Sequence, residues 1–321
     1  MRVANPKKFR TPIITMDSGM TSTVTRVIIR PQPVSIRPLF TGWRPSEKHM
    51  PDKKINVQQM LCCHRYPGSP WNQGIFMEKR YYSEYSQCLD RNMDFIVYGH
   101  SGVPLLVFPA QDGHPQDYEN FGMVDVIKDK IENGYVQLFC VGSIDEESYS
   151  DEMGDKARRS YLLEQFYYYI CDEIVPRIKE INGTGKMIYT TGCSLGATHA
   201  ANMMLRRPDL FMGCIALSGY YDTDLFFGQY VDENIYNNSP LKYLNGMSRN
   251  HPYVDLYNQR HIILCCGQGA WEDEMVKSTG LMKETFDRLG VNAWCDFWGS
   301  DVNHDWPWWR KQLPYFLGHI L

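Results

Sequence analysis

No run of the chain reaches the roughly 18–20 consecutive apolar residues that a membrane-spanning helix needs. The opening MRVANPKKFR also lacks the apolar core of a secretory signal. Charge of one sign is equally scarce: 33 Lys and Arg against 37 Asp and Glu leave a formal net charge of −4. That balance gives no electrostatic footprint for nucleic acid or for an anionic membrane surface. Metal-binding spacing is missing as well. The ten cysteines include the adjacent pairs Cys62-Cys63 and Cys265-Cys266 but no CxxC. Cys140, Cys193, Cys214, Cys265, Cys266 and Cys295 lie in or beside apolar, strand-like runs, where a reduced thiol behaves as a small buried hydrophobe. A reducing cytoplasm is therefore the expected compartment. Lone glycines such as Gly113 and Gly122 form no phosphate-binding fingerprint.

What remains is an ordinary globular composition, 43% hydrophobic over 321 residues, enough to bury a sizeable core. Its character changes near residue 77. Upstream, RPQPVSIRPLFTGWRP and SEKHMPDKK are rich in Pro, Arg and Lys and sustain no apolar period. Such a segment buries too little surface to offset its ordering entropy. Residues 1–76 are expected to be a poorly structured basic extension, and residues 77–321 the folded domain. The first 45 residues are basic and acid-poor, as in organelle transit peptides. The plainer reading takes Met77 as the natural start and the upstream part as a mis-called extension.

Beyond residue 77, β-rich runs appear at 93–99, 104–109, 136–142, 187–192, 214–219, 261–267 and 293–299. The first two, parted by His100-Ser101-Gly102-Val103, read as a hairpin. The later ones are continuously apolar, as parallel strands covered on both faces are. Helical patterns fall between them at 119–132, 156–181, 196–206, 272–289 and 308–318. An opening hairpin followed by alternating strand and helix predicts an α/β fold with a mostly parallel central sheet and helices on both faces.

One motif carries chemistry. The strand KMIYTTG runs into GCSLGATHAANMMLRR, so Ser194 of Gly192-Cys193-Ser194-Leu195-Gly196 sits on a strand-to-helix turn flanked by glycines. That is the context a G-x-S-x-G nucleophile requires. The turn lifts the hydroxyl above the sheet, and the Leu195 N–H lies at the positive end of the new helix, where it can stabilise an oxyanion. A serine hydroxyl is a weak nucleophile until a base takes its proton. Among histidines after Ser194, His199 lies within the elbow helix, His251 in a Pro/Asn loop, His261 at a strand start and His319 at the terminus. His304 follows the last strand, at the edge where parallel sheets place their sites, and is the expected base. The acid should follow HIILCCG, in the loop Gln268-Gly269-Ala270-Trp271-Glu272-Asp273-Glu274. Glu272 is the first candidate and Asp273 the second; at least two of the three acids serve as favourable charges in the first helical turn. A second oxyanion donor is expected from the backbone of Gln111 or Asp112. Trp271 and Phe226 are candidate substrate-lining residues, and residues 222–258 are long enough to cover the site.

With those residues in place, the chain resembles the putative-esterase family, which includes esterase D, feruloyl esterases and bacterial mycolyltransferases. The resemblance spans roughly residues 78–321 and rests on VPLLVFPAQDG, TTGCSLGATHAANMMLRRPDLF, CIALSGYYD, ILCCGQGAWEDE and DVNHDWPWWRKQLPYFL. It implies an α/β-hydrolase fold with a Ser-acid-His triad and no cofactor: nucleophile Ser194, base His304, acid Glu272 or Asp273. The expected activity is a serine carboxylesterase acting on a small acyl ester. The rivals are an acyltransferase using the same triad and a non-catalytic binding protein on the same scaffold. Nucleic acid and a membrane span are not expected, and self-association is left open.

Overall fold

The computed structural model describes residues 77–321; the expectations for residues 1–76 lie outside the described residues. Eight strands form one sheet: β1 (Lys79–Ser86), β2 (Arg91–Tyr98), β3 (Val103–Phe108), β4 (Val136–Val141), β5 (Ile188–Cys193), β6 (Phe211–Leu217), β7 (His261–Cys266) and β8 (Trp294–Phe297). Their order is β1-β2-β4-β3-β5-β6-β7-β8. Pairing is antiparallel at β1–β2 and β2–β4 and parallel from β4 onward.

The sequence-expected hairpin of β2 with β3 is wrong. β2 pairs with β1 and β4, and β3 lies beyond β4, so residues 100–102 carry the chain out of one strand pair rather than back along it. The true hairpin is β1–β2. β1, KRYYSEYS, is half-buried and mostly polar, with a burial pattern that alternates along the strand. Such an edge strand exposes every second residue to water. The β2–β3 connection turns on Gly102 at φ 106°, where a Cβ would strike the Tyr135 backbone.

Strand alternation sorts the core into two layers. Leu106 and Phe108 point to one face, with Phe166, Ala200, Met203 and Phe286. Leu105 and Val107 point to the other, with Ile127, Ile131, Leu313 and Phe316. Helices Lys156–Tyr168, Leu195–Arg206 and Asp273–Leu289 supply residues to the first face; Trp306–Ile320 covers the second.

Two expected helices are interrupted. The one at 119–132 is three short pieces, Asp117–Asn120, Asp125–Ile127 and Lys128–Glu132, broken where Gly122 takes φ 75°. The one at 156–181 runs on to Asn182 but through a π turn at Tyr169–Ile174, directly before Pro176. Proline removes an N–H from the helical ladder, and a π turn is one way to absorb that. Residues 222–258 form four short helices whose Phe227, Ile235, Leu244 and Tyr257 are fully buried and anchor the segment to the core. Among the described residues no helix is long and apolar enough to cross a membrane.

Candidate active site

Ser194 closes β5 and caps the helix Leu195–Arg206, with φ 57° and ψ −125°. A non-glycine residue at positive φ is strained. What holds it there is close packing: a Cβ at Gly192 would strike the Gly196 backbone, and one at Gly196 the carbonyl oxygens of Phe108 and Pro109. The Ser194 N–H donates to Leu217 O at 2.9 Å, tying the turn to β6. Leu195 is the first residue of the helix, so its N–H has no intrahelical acceptor. Cys193 is fully buried and desolvation raises its thiol well above the ordinary range, whereas Ser194 beside it is only partly buried.

His304 reaches that oxygen from a different loop: its Nε2 lies 2.9 Å from Ser194 Oγ. The loops after β7 and β8 are zipped together. Gly269 N–H donates to Val302 O at 2.8 Å, Ala270 N–H to Asn303 Oδ1 at 2.9 Å, and His304 N–H to Ala270 O at 3.0 Å. Gly267 and Gly269 permit this approach, since a Cβ on either would meet Val302 O. The zipper delivers Glu272, fully buried, with Oε2 3.6 Å from His304 Nδ1. Among the described residues neither of those two atoms has another hydrogen-bond partner. At 3.6 Å the contact is electrostatic rather than a formed hydrogen bond; such bonds often tighten only when substrate is bound.

Of the two candidate acids, then, the structure brings Glu272 to His304 and leaves Asp273 exposed in the first turn of the helix Asp273–Leu289. Gln111 and Asp112 follow β3 beside the elbow helix, and their loop is pinned from the β4 side. Ser150 Oγ donates to Asp112 Oδ1 at 2.6 Å and accepts from Gln111 Nε2 at 2.8 Å. Asp112 takes φ 57°. Trp271, the other candidate lining residue, is 84% exposed at φ 67° and does not pack in the core. Phe226 packs edge-on against Tyr149 at 4.8 Å, at the margin of the core.

The other histidines after Ser194 have other partners. His199 Nε2 contacts buried Asp145 Oδ1 at 2.9 Å. His261 Nδ1 meets the Tyr189 hydroxyl at 2.7 Å. His251 caps the helix Pro252–Tyr257, and His319 meets Tyr315 O. Two residues at the site escaped the sequence reading. The Ser218 hydroxyl donates to Glu272 Oε1 at 2.6 Å, and Trp309 Nε1–H donates to Ser218 Oγ at 3.0 Å. Their sequence signal was positional only: Ser218 comes next to last in the run CIALSG, on the strand edge that bears the site. Among the described residues no group of His, Cys, Asp and Glu is arranged to hold a metal ion.

The sequence profile described as "Putative esterase" matches residues 86–320. No curated protein matches the chain by sequence. Among solved structures, a ferulic acid esterase is similar with a TM-score of 0.60 and 16% identity, over 76% of this chain and 99% of that one. The S-formylglutathione hydrolase FrmB of Staphylococcus aureus gives 0.57 and 13%, over 77% and 97%. MPT51 of Mycobacterium tuberculosis gives 0.55 and 15%, over 75% and 97%.

Proposed function

Because the chain belongs to the putative-esterase family of α/β-hydrolases and is an ester hydrolase with it, we propose that Ser194, His304 and Glu272 are its nucleophile, base and acid. The 2.9 Å contact of His304 Nε2 with Ser194 Oγ carries this reading. His304 takes the hydroxyl proton as Oγ attacks the ester carbonyl. The tetrahedral oxyanion is met by the Leu195 N–H at the helix terminus and by an N–H of Gln111 or Asp112. His304 then hands its proton to the leaving alcohol, and the acyl group stays on Ser194. A water, deprotonated by His304, attacks the acyl carbonyl; collapse returns the proton to Ser194 and frees the acid. Glu272 stabilises the imidazolium at both stages without becoming protonated.

Residues 77–321 form the catalytic domain on this reading, and the substrate is a small acyl ester. The free thiols of the eight described cysteines support a reducing, cytoplasmic setting. The deciding experiment pairs p-nitrophenyl acetate hydrolysis with fluorophosphonate labelling. Ser194→Ala should lower kcat by about 10⁶ and abolish the label; hydrolysis retained in that variant refutes the assignment.

A further inference from the structure

Ser218 follows β6 at φ 59°, a left-handed conformation that glycine adopts freely and serine does not. Its backbone is clamped by an N–H donated to Cys265 O at 2.6 Å, and its side chain is fully buried. The hydroxyl has one proton, and its surroundings dictate where that proton goes. Trp309 Nε1 is a donor only, so at 3.0 Å it occupies a lone pair of Ser218 Oγ. The proton is left for Glu272 Oε1, 2.6 Å away. One carboxylate oxygen is thereby held, and the other, Oε2, is the one facing His304 Nδ1. Among the described residues nothing else bonds the carboxylate, since Oε2 has no partner there and Oε1 has Ser218.

We infer that Ser218, its proton aimed by Trp309, is a positioning residue that fixes the Glu272 carboxylate against His304. The inference rests on Glu272 being the triad acid. Strain at residue 218 has a chemical return: glycine would suit the backbone better but carries no hydroxyl. Trp309 also packs edge-on against the His304 ring at 5.0 Å, so one indole braces the base and orients the group that holds the acid.

The test compares Ser218→Ala, Ser218→Gly, Trp309→Phe and Glu272→Gln in the full chain, measuring kcat, KM for p-nitrophenyl acetate and thermal unfolding. A hydrogen bond to a charged group converts to about 10- to 100-fold in rate. Both Ser218 variants should lose that much kcat with KM within about twofold, and Trp309→Phe should lose kcat in the same direction. Glycine separates the explanations. It relieves the positive φ, so a purely structural role for Ser218 predicts that Ser218→Gly recovers kcat, and that recovery overturns the inference. Full kcat in both Ser218 variants, with Glu272→Gln impaired, overturns it while leaving the triad reading intact. Full kcat in Glu272→Gln instead removes the triad acid and the inference with it. Should the Ser218 variants fail to fold, unchanged kcat in Trp309→Phe overturns it.

Discussion

At the residue scale the decisive contrast is between two neighbouring carboxylates. Glu272 is buried behind His304, whereas Asp273 faces water at a helix start. Removing the charge that orients a triad histidine costs about 10⁴ in kcat in a comparable enzyme. Glu272→Gln should therefore fall by that order, and Asp273→Asn should stay within about twofold, as exposed first-turn acids contribute only a few tenths of a kcal/mol. Steady-state kinetics on the two purified variants decides between them. Gly196 makes a second residue-scale case. A methyl there meets the carbonyl oxygens of Phe108 and Pro109, so Gly196→Ala should destabilise the fold by about 1–3 kcal/mol, the usual cost of overpacking. Denaturant titration measures this, and the displaced elbow should lower esterase activity as well.

At the element scale two histidines whose sequence context looked uninformative each hold a helix in place. His251 caps Pro252–Tyr257 by accepting the Tyr253 N–H on Nδ1 at 3.1 Å, which requires the neutral ring. Burial lowers its pKa from the ordinary 6.5. The unfolded chain then binds the proton more readily than the folded one. This contribution to stability is therefore complete above about pH 6.5 and lost as the pH falls through the folded value. Asparagine caps without titrating in this range. His251→Asn should flatten the fall in melting temperature between about pH 7 and 5; an unchanged slope would show that the cap does not contribute to it. His199 fastens the elbow helix to the turn Asp145–Glu147, packed between Phe166 at 5.2 Å and Tyr149 at 5.6 Å. His199→Ala leaves the fully buried Asp145 side chain without a hydrogen-bond partner among the described residues. The expected loss is about 1–3 kcal/mol, the cost of a buried polar group left unsatisfied, read as a lower denaturation midpoint.

At the scale of the whole molecule, the sheet and its two covered faces control solvent access. Cys171, Cys214, Cys266 and Cys295 sit in or against the core, and burial pushes their thiols up to about 12. The reactive thiolate is then almost absent near neutral pH. Native protein treated with iodoacetamide should stay unmodified at these four positions and become labelled once unfolded, as peptide mass mapping would show. A second global tie joins separate segments: Arg206 bonds Glu164 through both terminal nitrogens, and Asn238 donates to the same carboxylate. Burial opposes the Arg206 charge, but the bonds and Coulomb attraction from Glu164 outweigh it and raise its pKa.

The sequence alone determined what depends on local pattern. Apolar runs placed the parallel strands, and Gly183 and Gly290 stop their helices at positive φ. The Gly-x-Ser-x-Gly turn could be read because its glycines are demanded by contacts within a few residues and with the adjacent strand. Chain order and position at the sheet edge also singled out His304. Tertiary structure alone decided what depends on partners distant in the chain. The β1–β2 hairpin hid because an edge strand needs only one apolar face, and β1 is mostly polar. The choice of Glu272 over Asp273 turned on which carboxylate the zippered loops after β7 and β8 bury, a difference of one residue that helix-start chemistry does not distinguish. Ser218 was invisible for the same reason: its role comes from Glu272, 54 residues on, and Trp309, 91 residues on. The Ser194 turn and the His304 loop could be read from neighbours in sequence; which carboxylate lies against His304 was decided only by neighbours in space.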